Sequence, residues 1–184
     1  MASLSTSWAR FFLPALLVFA MAARARTATD AGIETVADSE GRFVVSLPGP
    51  VQRNEQEVDS PAGRVTMKTV LHDGGAQASF MVIYSDYPTG TVARAGGPDQ
   101  VCKNASKAAL KGMNDGALRS SSPCQLGEIK GLEIIADNSP DHSVNRIRFF
   151  VVGDRLYQVI FAGPAGGETS PEARAFFDSF HLTP

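Results

Sequence analysis

Residues 144–161, with the sequence VNRIRFFVVGDRLYQVIF, decide the fold of this chain. Two runs rich in β-branched and aromatic residues lie on either side of Gly153 and Asp154. Such runs are typical of strands, and a glycine at the first central position suits a type II′ turn. The stretch therefore predicts a β-hairpin.

The register of this hairpin follows from its two-residue turn. Phe150 then lies opposite Tyr157 on one face, and Ile147 lies opposite Ile160 on the other face. Because both faces are largely apolar, the pattern predicts a sheet that is covered on both sides.

A helix follows the hairpin near the end of the chain. Ser170 and Pro171 form a typical helix start, with proline in the first turn. Apolar residues then recur at i, i+3, i+4 and i+7, which predicts a helix that packs one face on the core. These residues are Ala173, Phe176, Phe177 and Phe180.

The rest of the chain predicts more strands and a second helix. Strands are expected at 42–47, 64–71 and 78–84, with weaker candidates at 118–121, 125–129 and 132–136. Residues 51–63 read as a polar connection, and 88–98 as a loop without an element of its own. The count predicts an α+β fold, an antiparallel sheet covered by helices in an α/β/α sandwich.

The second helix is predicted to be capped by Asp99. One of its faces is apolar, and Lys103, Lys107 and Lys111 share another face. Such a lysine stripe is either a solvated face or a surface for an anionic partner or a lipid headgroup.

The N-terminal residues indicate export. Arg10 is followed by about 13 apolar residues, too few for the ~20 that span a bilayer, and then by small-residue cleavage sites at Ala22 and Ala25. We therefore expect a signal peptide at 1–25, a flexible lead-in at 26–40 and one domain at 41–184. The location is the periplasm or the medium, with no transmembrane segment in the mature chain.

Charge excludes one class of partner. Removing residues 1–25 leaves 15 basic and 19 acidic residues. A nucleic-acid-binding protein is expected to present a basic surface, so this mild negative charge argues against that class.

Two cysteines remain after export, Cys102 and Cys124. In an oxidising compartment a structural disulfide is the expected state. Two free thiols or a redox pair are the alternatives, although the C-x-x-C spacing of redox pairs does not occur.

Chemistry-bearing motifs are missing from the sequence. His72, His142 and His181 do not have the spacing of a zinc site. Asp137 and Asp141 resemble the first ligands of a calcium loop, but the glycine and the glutamate that such a loop requires are missing. Neither a G-x-S-x-G elbow nor a phosphate-binding loop occurs. We therefore expect no metal, no cofactor and no sequence-visible catalytic residue.

One strand face offers a candidate ligand site. Arg146, Arg148 and Tyr157 share a face in the predicted hairpin, where guanidinium groups could hold a carboxylate or phosphate. Packing of these side chains beneath a helix is the alternative. Asp86, at the end of a strand, is their predicted charge partner.

Three segments resemble a group of small exported bacterial proteins with the Mog1/PsbP-like fold. They are GRFVVSLPGP at 41–50, the hairpin residues around 146–159 and FFDSF at 176–180. The resemblance implies an antiparallel sheet between helices. It implies no general catalytic residues, because the understood members, including a lumenal photosystem II subunit, act as binding or assembly factors.

The sequence thus favours an exported, non-catalytic binding or assembly-accessory domain for an unknown protein or a small anionic ligand. A small periplasmic hydrolase with a non-local active site is one alternative. An envelope structural or stress-linked protein is the other. A pocket with a hydrogen-bonded nucleophile and base would favour the enzyme.

Overall fold

A computed structural model describes residues 32–60, 63–75, 77–113, 116–138 and 142–184. The predicted signal peptide at 1–25 lies outside the described residues. The regular elements, in chain order, are β1 (Ile33–Asp38), β2 (Phe43–Pro48), β3 (Gln52–Ser60), β4 (Gly63–Asp73), β5 (Ser79–Asp86), α1 (Thr91–Arg94), α2 (Pro98–Gly112), β6 (Ala117–Leu126), β7 (Ile129–Asn138), β8 (Ser143–Val152), β9 (Arg155–Pro164), a 3₁₀ helix (Gly167–Thr169), α3 (Pro171–Ser179) and β10 (His181–Leu182).

A seven-stranded antiparallel sheet forms the centre of the fold, with the order β3-β4-β5-β9-β8-β7-β6. The predicted hairpin is its β8–β9 pair, with Phe150 opposite Tyr157 and Ile147 opposite Ile160. Gly153 has a φ of 59°, the left-handed value that the first position of a II′ turn requires. The predicted register is therefore confirmed.

One face of the large sheet is covered by α2, which packs on β7 and β8. Its buried side contributes Val101, Cys102 and Ala109 to an apolar cluster with Ile134 and Phe149 of the sheet. Gly97 is the N-cap and Pro98 begins the helix, so the predicted cap at Asp99 is wrong by two positions.

The opposite face is covered by α3 together with a second antiparallel sheet of order β1-β2-β10. Ser170 caps α3, its Oγ accepting a hydrogen bond from the Ala173 N–H at 3.1 Å. Ala173, Phe176, Phe177 and Phe180 are all at least 97% buried, as their spacing predicted. The fold is α+β, but strands share this face with the helix, which the predicted α/β/α layering did not include.

Three segments predicted to lack regular structure contain elements. β1 lies within the predicted lead-in at 26–40, β3 within the connection at 51–63 and α1 within the loop at 88–98. β3 was missed because its side chains are polar along most of its length, so no apolar alternation marks it. β1 was missed because it is short and only Val36 among its six residues is buried. Their backbone hydrogen bonds come from the neighbouring strands β2 and β4.

The predicted disulfide does not form, because the two cysteines lie on opposite faces of the large sheet. Cys102 belongs to the cluster beneath α2, and its Sγ lies 3.6 Å from the Phe149 carbonyl oxygen. Cys124, on β6, packs against the cluster beneath α3. Both cysteines are free thiols.

Free thiols have a measurable consequence. Burial raises the pKa of both Cys102 and Cys124 to about 11. Roughly one thiol in a thousand is then a thiolate at pH 8, so native protein should react slowly with maleimide or iodoacetamide, and faster as the pH rises towards 11. Unreduced protein in denaturant should give two labelled cysteines by mass spectrometry. A chain that stays unlabelled until it is reduced would contradict this arrangement.

Candidate ligand-binding cleft

A cleft of about 420 Å³ lies between the β1–β2 turn and strands β3, β4 and β5. This volume lies within the range of small-molecule sites. Its polar lining comes from the turn and from all three strands: Asp38, Glu40, Arg53, Glu55, Lys68 and Tyr84.

The β1–β2 turn forms one wall of the cleft, and its shape is set locally. The Asp38 Oδ1 accepts a hydrogen bond from the Gly41 N–H at 2.6 Å, which closes the turn. A Cβ at Gly41 would lie 2.5 Å from the Phe43 ring and 2.9 Å from the Tyr84 ring. Only glycine therefore allows the turn to approach the aromatic core this closely.

Two side chains of β9 clamp the turn to the large sheet. The Tyr157 hydroxyl donates to the Gly41 carbonyl oxygen at 2.8 Å. Arg155 donates to the Glu40 carbonyl oxygen at 2.6 Å and forms a two-pronged pair with Asp86 at 2.6 and 2.7 Å. The guanidinium carbon also lies 5.1 Å from the Tyr84 ring centre. These contacts hold the wall of the cleft in place.

The charged groups that line the cleft are partly paired with one another. Lys68 contacts the Glu40 carboxylate and lies 3.8 Å from Glu55, while Arg53 lies 3.9 Å from Asp38. The hydrogen bond to Glu40, followed by nearby carboxylates, raises the pKa of Lys68. The lysine is thus a cation at neutral pH, and the lining combines three carboxylates with two cations.

Tyr84 forms part of the inner surface of the cleft. Its hydroxyl lies 3.5 Å from the Asp38 Oδ1, and burial, with the nearby Asp38 charge, raises the pKa of Tyr84. The phenol is therefore protonated at neutral pH, and its hydroxyl donates to Asp38.

Of the four site residues predicted from sequence, two lie behind the cleft wall. Tyr157 holds Gly41, and Asp86 holds Arg155, as described above. Arg146 and Arg148 lie elsewhere, on β8 beside Phe177, with their guanidinium carbons 4.6 and 4.8 Å from its ring centre. The four residues do not form one site.

The predicted partnership of Asp86 with Arg146 and Arg148 is wrong. Both guanidinium groups bind Glu133, with Nε to Oε2 distances of 3.0 and 2.6 Å. Glu133 is the cross-strand neighbour of Arg148 on β7, whereas Asp86 pairs with Arg155 on β9. The ligand role of Arg146 and Arg148 stays a prediction, and their contacts are those of a structural ion pair.

A second ion pair adjoins this group. Arg119 of the edge strand β6 binds Asp137 and lies 2.6 Å from the Glu168 Oε1. Arg146 also donates to the Glu168 carbonyl oxygen at 3.1 Å. The contacts of Arg119 and Arg146 thus join β6, β7 and β8 to the 3₁₀ helix that precedes α3.

Sequence reasoning missed the residues that shape the cleft. Arg155 follows the Gly153 turn directly, so its cross-strand position could have been read from the hairpin. Its partner Glu40 lies in a turn, and Arg53 lies on β3, which carries no apolar alternation, so neither gave a signal. Lys68 lies in the strand predicted at 64–71, but its contact with Glu40 is long-range and has no local pattern.

Among the described residues, the histidine hydrogen bonds go to backbone carbonyl oxygens and not to potential catalytic side chains. The Nδ1 atoms of His72 and His181 lie 3.4 and 2.9 Å from the carbonyl oxygens of Pro50 and Ser179.

Within the described ranges no group of three or more His, Cys, Asp or Glu side chains is arranged to hold a metal ion. In the same part of the chain, no helix has the length and apolar character needed to cross a membrane.

Comparison with known proteins finds similarity in structure only. No protein-family model matches the chain, and no curated protein matches it in sequence. The solution structure of cyanobacterial PsbP (CyanoP) from Synechocystis sp. PCC 6803 is similar with a TM-score of 0.57 and 12% identity, over 88% of this chain and 98% of that chain. At this identity the likeness concerns the fold alone, and the fold of this chain is PsbP-like.

Proposed function

We propose that this chain is an exported, non-catalytic accessory domain that binds a small polar ligand or a polar segment of a partner protein in the cleft. The observation that carries the proposal is the cleft itself, about 420 Å³ in volume and lined by paired charges and a phenol. The signal-peptide features of residues 1–25 support a location in the periplasm or the medium.

The electrostatics of the cleft favour binding over catalysis. A general acid or base works best with a pKa near the operating pH. The pKa values of Lys68 and Tyr84 are instead raised, away from neutrality. Both groups keep their protons, and the Lys68 ammonium, with three donor hydrogens, suits recognition of a ligand with acceptor atoms.

The clamp on the β1–β2 turn supports the same conclusion. A binding site is effective when its walls are already in place, because no ordering cost is then added to binding. Tyr157 and Arg155 hold the turn through backbone carbonyls, so the wall does not depend on the ligand. Tyr157 and Asp86 thus enter the proposal as supports of the cleft.

The test uses a photo-crosslinking amino acid placed at Ser39, an exposed turn residue of the cleft lining, in the full chain expressed in its native host. We expect crosslinks at Ser39 to a defined ligand or partner. Replacing Arg53 and Lys68 together by glutamine should reduce them about tenfold or more, because two charge-assisted donors are lost.

Two controls make the result specific. The same probe at Ser122, on the opposite edge of the large sheet, should not capture that partner. Replacing Arg64 and Lys130 by glutamine removes the same charge outside the cleft and should leave capture unchanged. Equal crosslinking by both double variants, or a catalytic turnover abolished by a single Ser, His or Asp substitution, would refute the proposal.

A further inference from the structure

The outer face of α2 carries a row of exposed cations. Lys103, Lys107 and Lys111, here called the α2 lysine face, are four residues apart and so rise in steps of about 6 Å along the helix. The full sequence contains only five lysines, so this one face holds most of them. In the part of the chain that the structure describes, no ion pair joins any of the three to a carboxylate.

A fourth lysine lies on the same side of the molecule. Lys130 is exposed at the start of β7. Residues of a strand alternate between faces, and Ile134 packs beneath α2, so Lys130 belongs to the α2 side as well. Asp99, in the first turn of α2, is the one carboxylate of that helix. Lys103, Lys107, Lys111 and Lys130 thus give four positive charges against the one negative charge of α2.

Four arginines of the chain are placed differently. Arg119, Arg146, Arg148 and Arg155 bind specific carboxylates within the fold. The planar guanidinium suits such forked pairing, whereas the lysine ammonium is a mobile point charge on a long stem. Free lysines on a convex helix suit attraction to a diffuse negative surface more than recognition of one particular group.

The α2 lysine face also lacks the features of a protein interface. Such interfaces centre on buried aromatic or aliphatic anchors. The large apolar side chains that are exposed among the described residues are Ile33, Leu118 and Val152, and none belongs to α2. A charged bilayer needs no such anchor, because adsorption to anionic lipid follows from charge alone.

We propose that the α2 lysine face docks on an anionic lipid bilayer, with the helix lying parallel to the membrane and not inserted. The β1–β2 turn packs on the opposite face of the large sheet from α2. A docked molecule therefore keeps its cleft directed away from the lipid. This inference does not depend on the function proposed for the cleft.

Co-sedimentation of the full chain with vesicles tests the proposal. The protein should bind phosphatidylcholine vesicles that contain phosphatidylglycerol, should not bind phosphatidylcholine alone, and should be released by high salt. Each lysine near the surface contributes roughly a fivefold factor in affinity. Replacing the three lysines by glutamine should therefore weaken binding on the order of 100-fold.

Two variants distinguish the effect of the α2 lysine face on binding from the effect of net charge. Replacing the three lysines by arginine keeps the charge and should keep binding. Replacing Arg42, Arg64 and Arg174, which are exposed outside α2, by glutamine removes the same charge and should leave most of the binding. The proposal is overturned if this control weakens binding as much as the lysine variant does. It is equally overturned if the wild-type protein does not bind anionic vesicles and the lysine face binds an acidic protein instead.

Discussion

Replacing Phe177 by alanine should destabilise the protein by about 3–5 kcal/mol, the usual cost of removing a buried phenylalanine. The side chain is 3% exposed, and its ring centre lies 5.2 Å from that of Phe176. The substitution leaves a cavity beneath α3. It also removes the aromatic face on which two guanidinium groups lie at 4.6 and 4.8 Å.

Chemical denaturation followed by circular dichroism measures this loss. Phe177→Leu keeps most of the volume and should cost only about 1–2 kcal/mol. Asp178→Ala, on the exposed side of the same helix, should change the free energy of unfolding by less than about 0.5 kcal/mol. A loss below about 1 kcal/mol for Phe177→Ala would show that α3 does not cover the sheet as described.

Replacing Glu133 by glutamine should destabilise the protein by about 2–4 kcal/mol. Glu133, Arg146 and Arg148 have side chains that are only 15%, 14% and 20% exposed. Removing the carboxylate leaves two guanidinium groups partly buried and without their counter-charge, which is the costly way to break such a pair. The expected loss is below the 3–5 kcal/mol of fully buried pairs, because some solvent reaches all three groups.

A single control variant and a triple variant identify the origin of that loss. Glu57→Gln breaks an exposed pair with Arg64 and should cost less than about 1 kcal/mol. Adding Arg146→Gln and Arg148→Gln to Glu133→Gln should recover part of the stability, because no buried charge then lacks a partner. If Glu133→Gln is neutral, these arginines are free of a structural role and the ligand role predicted for them from sequence becomes the better explanation.

The hairpin and the last helix were predictable from sequence because their signals are local. Alternation around Gly153 sets the pairing of Phe150 with Tyr157, and the spacing of Phe176, Phe177 and Phe180 sets the buried side of α3. Each pattern reports which side of one element is apolar. That information is enough for the antiparallel register and for the α+β class.

Strands β1 and β3 were not predictable in the same way. β3 has charged and amide side chains along most of its length, and β1 is exposed at its first three residues. Their extended conformation is stabilised by hydrogen bonds from β4 and β2, which are long-range contacts that no local pattern contains. The pairing of β1 with the predicted strand β2, and with it one wall of the cleft, therefore came only from the tertiary structure.

The cysteines show the same division. Export and the presence of two cysteines favour a bridge, but a disulfide requires the two side chains to lie on one side of the sheet. Which face Cys124 joins depends on the register of β6 against β7, which contains an irregularity between Leu118 and Ser120. Tertiary packing placed Cys102 and Cys124 in different cores.

The sequence by itself determined the central hairpin, the buried stripe of α3, the α2 lysine face and the expectation of export. Only the tertiary structure decided the cleft and the partners of the arginines. The physical reason is separation along the chain: Arg155 meets the Glu40 carbonyl across 115 positions, and Tyr157 meets that of Gly41 across 116. Periodicity reports the face on which a side chain lies, whereas the packing of whole layers decides what that side chain contacts.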